Sequence, residues 1–369
     1  SVAGMRYEAV WYSHDGIQKG VIQAFTTLEY IKTQNAIGAL VINMDRQLVQ
    51  YDQFAVGDMF EVWREKGGVL ELQNETAYFL QNWEFWEDDD GAEYIRLTAF
   101  DANWLLDTAI VWAAAGSAAA EMTDYPDDMM KAIVENELGA TSGVASRTKL
   151  TCAPDLSAGG SAITKAFAYR NVLSVLQEIC EAAKEKNDVW LGFDVVRTTP
   201  GAFEFRTYTE QRGQDHGRYS GDPRLVGKQY GNLSKAVFGT YHADERNAIL
   251  VGGAGEEASR TTVTRTNETR MNASKWNRRE YFKDSRDDST TAALEADGDA
   301  ALEEFRPRQI LTGTLHDTPG MQYNIHYQFG DILSAEAFGY HVDCRVDSVK
   351  VKVDQDGGEQ IDVKLRGEL

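Results

Sequence analysis

Two short runs hold acids at a spacing that could ligate a cation: Asp88, Asp90 and Glu93, and, far downstream, Asp354, Asp356 and Glu359. Neither has the twelve-residue loop, with ligands to its end, that an EF-hand requires. Each contains an Asp-Gly pair (Asp90-Gly91, Asp356-Gly357), which a tight hairpin turn needs for backbone reasons. The run Ile249 to Ala258, with Gly252, Gly253 and Gly255, has the look of a dinucleotide fingerprint following a strand. A helix N-terminus must then receive the pyrophosphate. Thr261 to Thr264 is instead β-branched and alternating, and Glu256 and Glu257 would repel phosphate, so the run reads as a glycine turn between strands.

The other chemistries find little support. His14, His216, His242, His316, His326 and His341 are scattered, with no HExxH. His326 alternates with Tyr323, Ile325 and Tyr327 and reads as a sheet-face residue. Gly159-Gly160-Ser161 lacks the closing glycine of a nucleophile elbow, and no P-loop spacing occurs. Cys152, Cys180 and Cys344 show neither CxxC spacing nor an even count, which argues against a zinc site or a disulfide framework. A carboxylate pair for glycoside hydrolysis stays open, because 58 acids give many pairs whose separation is invisible in sequence. No catalytic group, metal or cofactor is expected.

The first hundred residues alternate apolar and polar, as in Phe60 to Arg64 and Tyr94 to Thr98. Turn signals at Gly57-Asp58, Gly67-Gly68 and Asp90-Gly91 punctuate them. The spacing predicts a barrel or sandwich. The middle changes character. Asp124 and Pro126 open a helix that Gly139 stops, and Val172 to Ala183 carries a second apolar stripe. A β-turn-β unit follows, around Thr199-Pro200-Gly201. Residues 287–304 read as a solvated helix, and the last sixty residues return to strands, including Tyr323–Tyr327. The fold class expected is mainly β with an α+β insertion: two tube-like β-barrel domains per chain plus inserted α+β domains. The boundaries are 1–115 for the first barrel, 116–235 for the α+β insertion, 236–305 for a connecting strand and helix region, and 306–369 for the second barrel portion.

The net charge is −21, so non-specific adhesion to nucleic acid is excluded. Either solubility, a surface that repels DNA or a salt-adapted origin would explain it. No run of about 18 apolar residues could span a membrane. The start, Ser1-Val2-Ala3-Gly4, lacks the basic and apolar regions of a signal peptide and fits loss of an initiator Met. Against the global trend, Arg260 to Arg286 holds eight Lys/Arg and three acids. Lys275, Trp276, Arg278, Arg279, Tyr281 and Arg286 are the candidate subunit interface, pairing with acidic patches on neighbouring copies; single-strand binding is the lesser reading.

The two β-rich ends match. Asp90-Gly91-Ala92-Glu93 corresponds to Asp356-Gly357-Gly358-Glu359, and the same offset pairs Leu80 with Val346, Trp83 with Val349 and Phe85 with Val351. Upstream, Val56-Gly57-Asp58-Met59 matches Phe329-Gly330-Asp331-Ile332. Gly57, Asp58, Asp90, Gly91, Gly330, Asp331, Asp356 and Gly357 are thus the structural turns of a duplicated β unit. Three such chains in a closed ring would present six similar barrels.

The succession of segments resembles the tail-hub proteins of long-tailed phages, akin to contractile-tail baseplate hubs. It runs through Gly38 to Ile42 with the Val56-Gly57-Asp58 turn, the Asn171–Ile179 helix and Leu250 to Glu256. It continues through Arg278 to Arg286, Phe329 to Ile332 and Lys364 to Gly367. The resemblance implies a homotrimeric hub at the distal end of a virion tail, assembled in the host cytoplasm. Its implied partners are its own copies, a distal tail ring protein, the tape-measure protein and tail fibre or receptor-binding proteins, with DNA present only in transit. Acidic side chains facing the channel would let that DNA slide. The alternative is a carbohydrate-binding or glycoside-hydrolysing tail protein that uses Trp83, Trp86 and Trp104; a calcium-dependent adhesion module on the Asp-Gly turns is a third.

Overall fold

The computed structural model describes residues 4–48, 53–112 and 121–369. The expected boundary between residues 115 and 116 lies outside the described residues. Eight strands come first: β1 (Tyr7–Tyr12), β2 (Gln18–Ile22), β3 (Thr27–Thr33), β4 (Ala39–Asp45), β5 (Met59–Lys66), β6 (Val69–Leu72), β7 (Tyr78–Glu87) and β8 (Glu93–Phe100). In β3 and β4 every second residue is buried (Leu28, Tyr30, Lys32; Leu40, Ile42, Met44), the period-two pattern of a sheet with one covered face.

An α+β unit follows: α1 (Trp104–Asp107), β9 (Glu121–Asp124), α2 (Pro126–Leu138), β10 (Thr151–Cys152), β11 (Ile163–Ala166), α3 (Val172–Asn187), β12 (Leu191–Thr199) and β13 (Ala202–Thr209). Its core joins Met129, Ile133 and Val134 of α2, Val175, Leu176 and Ile179 of α3, and Phe193 and Phe205 of the β12–β13 hairpin. Asn171 caps α3 by accepting the Ser174 amide. The start of α2 differs from expectation. Its cap residue is Tyr125, and the Asp124 carboxylate takes only the adjacent Tyr125 amide, so Pro126 and the first-turn acids Asp127 and Asp128 define that end instead.

The chain then re-enters the large sheet with β14 (Asp215–His216), β15 (Leu225–Gly227) and β16 (Leu233–Tyr241). A second inserted unit has β17 (Ala248–Gly252), β18 (Thr262–Thr266), α4 (Glu268–Met271), β19 (Glu280–Asp284) and α5 (Thr291–Glu304). Here α5 covers Ile249 and Val251 with Leu294 and Ala301, and it also packs against α3. The glycine run does close a turn between β17 and β18, with Gly255 at φ +104°. The last strands are β20 (Arg308–Leu315), β21 (Ile332–Ala337), β22 (Tyr340–Asp354) and β23 (Glu359–Glu368). Tyr323–Tyr327, expected as a strand, is a turn closed by a bridge between its two tyrosines, with the Asn324 amide donating to the Tyr327 carbonyl. His326 is therefore not on a sheet face; its Nδ1 accepts the Gln322 amide.

Fifteen strands form one sheet, in the order β16-β20-β23-β22-β3-β4-β8-β7-β5-β1-β2, with β21, β14, β15 and β6 branching from it. No barrel closes among the described residues: the sheet ends at β16 on one side and at β2 on the other. The chain is mainly β, as expected, but its two ends share one continuous sheet and one core. β14 and β15, which fall in the stretch expected to belong to the α+β insertion, pair in parallel with β21.

Candidate assembly interface

The turns singled out in sequence are built alike. Gly57 (φ +89°) and Gly330 (φ +82°) hold left-handed backbone that favours glycine. Asp58 Oδ2 accepts the Ala55 amide at 3.0 Å, and Asp331 Oδ2 accepts the Gln328 amide at 2.8 Å. The Leu80 amide donates to the Asp58 carbonyl at 2.9 Å, and the Val346 amide to the Asp331 carbonyl at 2.8 Å. Downstream, Asp88 Oδ1 accepts the Asp90 and Ala92 amides, while Asp354 Oδ1 accepts those of Asp356 and Gly358. Gly91 and Gly357 sit at φ +82° and +81°. These carboxylate oxygens are thus used on backbone N–H groups. The amide hydrogen bonds hold Asp88 below the usual carboxylate range.

The strands between the turns match in register. Met59 pairs with Phe79 as Ile332 pairs with Arg345, and Ala39 pairs with Phe100 as Thr312 pairs with Arg366. A bulge falls between Leu80 and Asn82 in one hairpin and between Val346 and Ser348 in the other. The offset that aligns the Asp-Gly turns also aligns the bulges, a detail that two unrelated hairpins have no reason to share.

Within the chain the two copies meet edge to edge. Ser348–Asp354 of β22 pairs antiparallel with Thr33–Thr27 of β3, burying Val349, Val351 and Val353 beside Lys32, Tyr30 and Leu28. A second tie is the Arg64 guanidinium, which makes two bonds to the Glu359 carboxylate at 2.9 and 3.0 Å. Tyr7 also hydrogen-bonds Glu359, and burial beside that carboxylate pushes the phenol well above its ordinary value.

At the ends of this arrangement the edges are open. β7 meets β5 only at Tyr78 and Phe79, and beyond them it has no second strand neighbour among the described residues. β16 stands to β20 as β3 stands to β4, and it is the end strand of the sheet. Trp83 of β7 and Ala236 and Phe238 of β16 are half-buried against the common core.

The inserted α+β unit is fixed to the sheet by charges that sequence reading did not find. Lys32 Nζ lies 2.6 Å from Asp194 and 3.2 Å from Asp101, all three buried, and Arg212 adds a contact to Asp194 at 3.2 Å. Burial opposes the Lys32 ammonium, yet the two carboxylates outweigh it and hold its pKa above the ordinary value. Burial pushes the Asp101 carboxyl upward, and Lys32 works against that. Arg197 reaches Glu61 at 2.6 Å nearby. The available signal was a lysine in the apolar phase of β3, in line with Leu28 and Tyr30.

The residues proposed for subunit contact divide. Trp276 is 81% exposed, with the Lys275 ammonium 4.6 Å from its ring. Arg279 is engaged internally: its Nε donates to Asn277 Oδ1, its guanidinium bonds the His242 carbonyl, and it lies 3.9 Å from the buried Glu245. Tyr281 packs on Phe305 at 4.7 Å, Arg286 pairs with Asp284 at 3.2 Å, and Arg278 lies 3.7 Å from Glu280. Of the tryptophans considered for glycans, Trp104 packs on Phe79 inside the fold, and Trp86 stacks on Tyr94 beneath Arg96. Among the described residues no ring contact joins them to Trp83, which belongs to the core fringe. Among the described residues no group of three His, Cys, Asp or Glu side chains has metal-holding geometry. The polar face of the large sheet is not acidic: Glu29 pairs with Lys350, Glu84 with Arg96 and Asp362 with Lys364.

Comparison with known proteins places this architecture. The fold is shared, at 11% identity, with the 43 kDa tail protein of prophage MuSo2 from Shewanella oneidensis (TM-score 0.52, covering 97% of this chain and 98% of that one). It is shared too with prophage tail protein gp18 from Listeria monocytogenes EGD-e (0.53, 10% identity, 98% and 94%). A tail protein of Neisseria meningitidis MC58 gives 0.53 at 12% identity, covering 98% and 96%. No curated protein matches in sequence. The profile of the siphovirus ReqiPepy6 Gp37-like proteins matches residues 9–365, nearly the whole duplicated sheet and both insertions, and the chain belongs to that family of phage tail proteins.

Proposed function

We propose that three copies of this chain close into a ring that serves as the hub at the distal end of a phage tail. The observation that carries this reading is the in-register duplication within one open sheet. A ring of three chains offers six equivalent units, so it can meet a six-fold tail ring above and a three-fold tip below. The two tube-like barrel portions are then completed by neighbours rather than by one chain. The partners are the distal tail ring protein, the end of the tape-measure protein, and tail fibre or receptor-binding proteins. The role is structural, carried out by assembly and without a catalytic step. The net charge of −21 supports DNA transit during ejection, because such a protein gains nothing from releasing counterions from phosphates. Native mass spectrometry and imaging of tails test this. Three 41.2-kDa chains per particle and three-fold density at the tail tip are expected; a strict monomer, or density elsewhere in the virion, overturns it.

A further inference from the structure

The joint inside the chain is a template for a joint between chains. Ile31 pairs with Ala39 as Val237 pairs with Thr312, so Val237 occupies in β16 the place of Ile31 in β3, and Phe238 that of Lys32. On the other strand, Asn82, Trp83 and Glu84 of β7 occupy the places of Ser348, Val349 and Lys350 of β22, with the matched bulges fixing the register. In the template Ser348 faces Thr33, Val349 faces Lys32 and Lys350 faces Ile31.

The geometry points to β7 of one copy pairing antiparallel with β16 of a second copy, with Asn82 opposite Gly239, Trp83 opposite Phe238 and Glu84 opposite Val237. This rests on the ring reading above and names the contact that closes it. Three further observations converge on it. Trp83 and Phe238 are both fringe members of the common core, left half-covered in one chain, and the pairing would bring their apolar surfaces together. Val237 (55% exposed) and Tyr241 (51%) are large apolar side chains standing in solvent on an end strand, the kind of edge that recruits another strand. The Trp86 indole N–H is buried without a hydrogen-bond partner among the described residues. Two residues past Glu84, and beyond the bulge that β16 carries between Ser234 and Val237, it comes opposite Ser234 of the second copy, whose hydroxyl can accept. The second copy is the favoured occupant because the counterparts of these two edges, β22 and β3, already pair once within each chain.

The register is tested by cross-linking. Glu84 and Val237 correspond to Lys350 and Ile31, a non-hydrogen-bonded pair by the alternation of the ladder, with Cα atoms about 4.5 Å apart. That lies within disulfide reach. Both side chains are exposed, so the E84C/V237C chain should fold normally, which its circular dichroism and melting check. The control E84C/Y241C is displaced by four residues, about 13 Å. The native thiols do not compete: Cys180 and Cys344 are buried, and burial pushes Cys152 up to about 12. After mild oxidation, E84C/V237C is expected to run on a non-reducing gel as covalent oligomers up to the trimer that collapse with reductant, while E84C/Y241C stays a single chain. Light scattering on the same samples separates the two claims. Oligomers without the E84C/V237C cross-link, or with equal cross-linking of the control, overturn the edge pairing and leave the ring. A monomer at every concentration overturns both.

Discussion

The ammonium of Lys32 sits 2.6 Å from the carboxylate of Asp194, across the boundary between the large sheet and the inserted α+β unit, with side chains 1% and 2% exposed. Asp101, at the end of the same sheet, completes the contact at 3.2 Å. The Lys32 ammonium also lies over the Phe329 ring, with Nζ 5.9 Å from its centre. One lysine thus links β3, the exit of β8 and the strand β12, and it fixes how the insertion stands on the sheet.

Removing that lysine should be costly. In Lys32→Met two carboxylates stay buried with only Arg212 left to answer one of them. Breaking a buried pair from one side costs about 3–5 kcal/mol. Urea unfolding of Lys32→Met is expected to show a loss of that size, against well under half of it for Lys350→Met, whose partner Glu29 is a third exposed. Equal effects would contradict the structural weight given to Lys32.

Gly91 and Gly357 share a turn and a φ near +80°, but not their surroundings. A Cβ on Gly91 meets nothing within 4 Å, whereas on Gly357 it would come 2.5 Å from the Met5 carbonyl oxygen. Gly91→Ala therefore carries only the left-handed backbone cost, about 1–2 kcal/mol. Gly357→Ala adds displacement of the segment before β1, whose Met5 amide donates to the Gly357 carbonyl at 3.0 Å. Its melting point should fall further than that of Gly91→Ala. A larger fall for Gly91→Ala would mean that the two hairpins are not positioned as described.

Much of the duplicated β unit was legible, because Asp-Gly turns and alternating strands are local signals. The pairs Asp90/Asp356 and Asp58/Asp331 recur in the structure with the same amide bonds. What failed depended on distance along the chain. The partners of Lys32 come 69 and 162 residues later, and nothing near Lys32 announces them. β14 and β15 have two and three residues, too few to show a period, and only their pairing with β21 assigns them to the large sheet. Tyr323–Tyr327 alternates like a strand, but Asn324 at φ +64° reverses it into a turn. Of the basic run, sequence could not show that Arg279 faces inward to Glu245 and Asn277 while Trp276 faces out.

The Glu245 carboxylate gives the second insertion a pH dependence of definite sign. Its side chain is fully buried; burial favours the neutral acid, but hydrogen bonds from His242, Asn277 and Asn247 outweigh this and lower its pKa from 4.5. Arg270 and Arg279 stand at 4.0 and 3.9 Å. A depressed folded-state value means that stability is present above pH 4.5 and is lost as the pH falls through the lower folded value. Protection of the Ala248 and Asn247 amides, both donated to the Arg279 carbonyl, measured against their intrinsic exchange rate at each pH, is expected to fall below about pH 4.5. Glu245→Gln should exchange faster at neutral pH and lose most of that acid response. An unchanged acid response in Glu245→Gln would assign it to another group.

Trp276 and Arg279, three residues apart in one basic run, should separate assembly from folding. Arg279→Ala removes a guanidinium that holds the His242 carbonyl and Asn277 and faces the buried Glu245 carboxylate, so it should destabilise the second insertion by about 1–3 kcal/mol, chiefly by leaving that carboxylate with one cation fewer. Trp276→Ala deletes a side chain whose ring contact is with the neighbouring Lys275, and its unfolding free energy is expected to stay within about 0.5 kcal/mol of the parent. If the exposed part of the run meets a neighbouring subunit, Trp276→Ala should still weaken oligomer formation in light scattering, because large aromatics dominate interface energies. Unchanged assembly by Trp276→Ala, with the fold intact, would remove this run from the subunit contact and leave the sheet edges alone to close the ring.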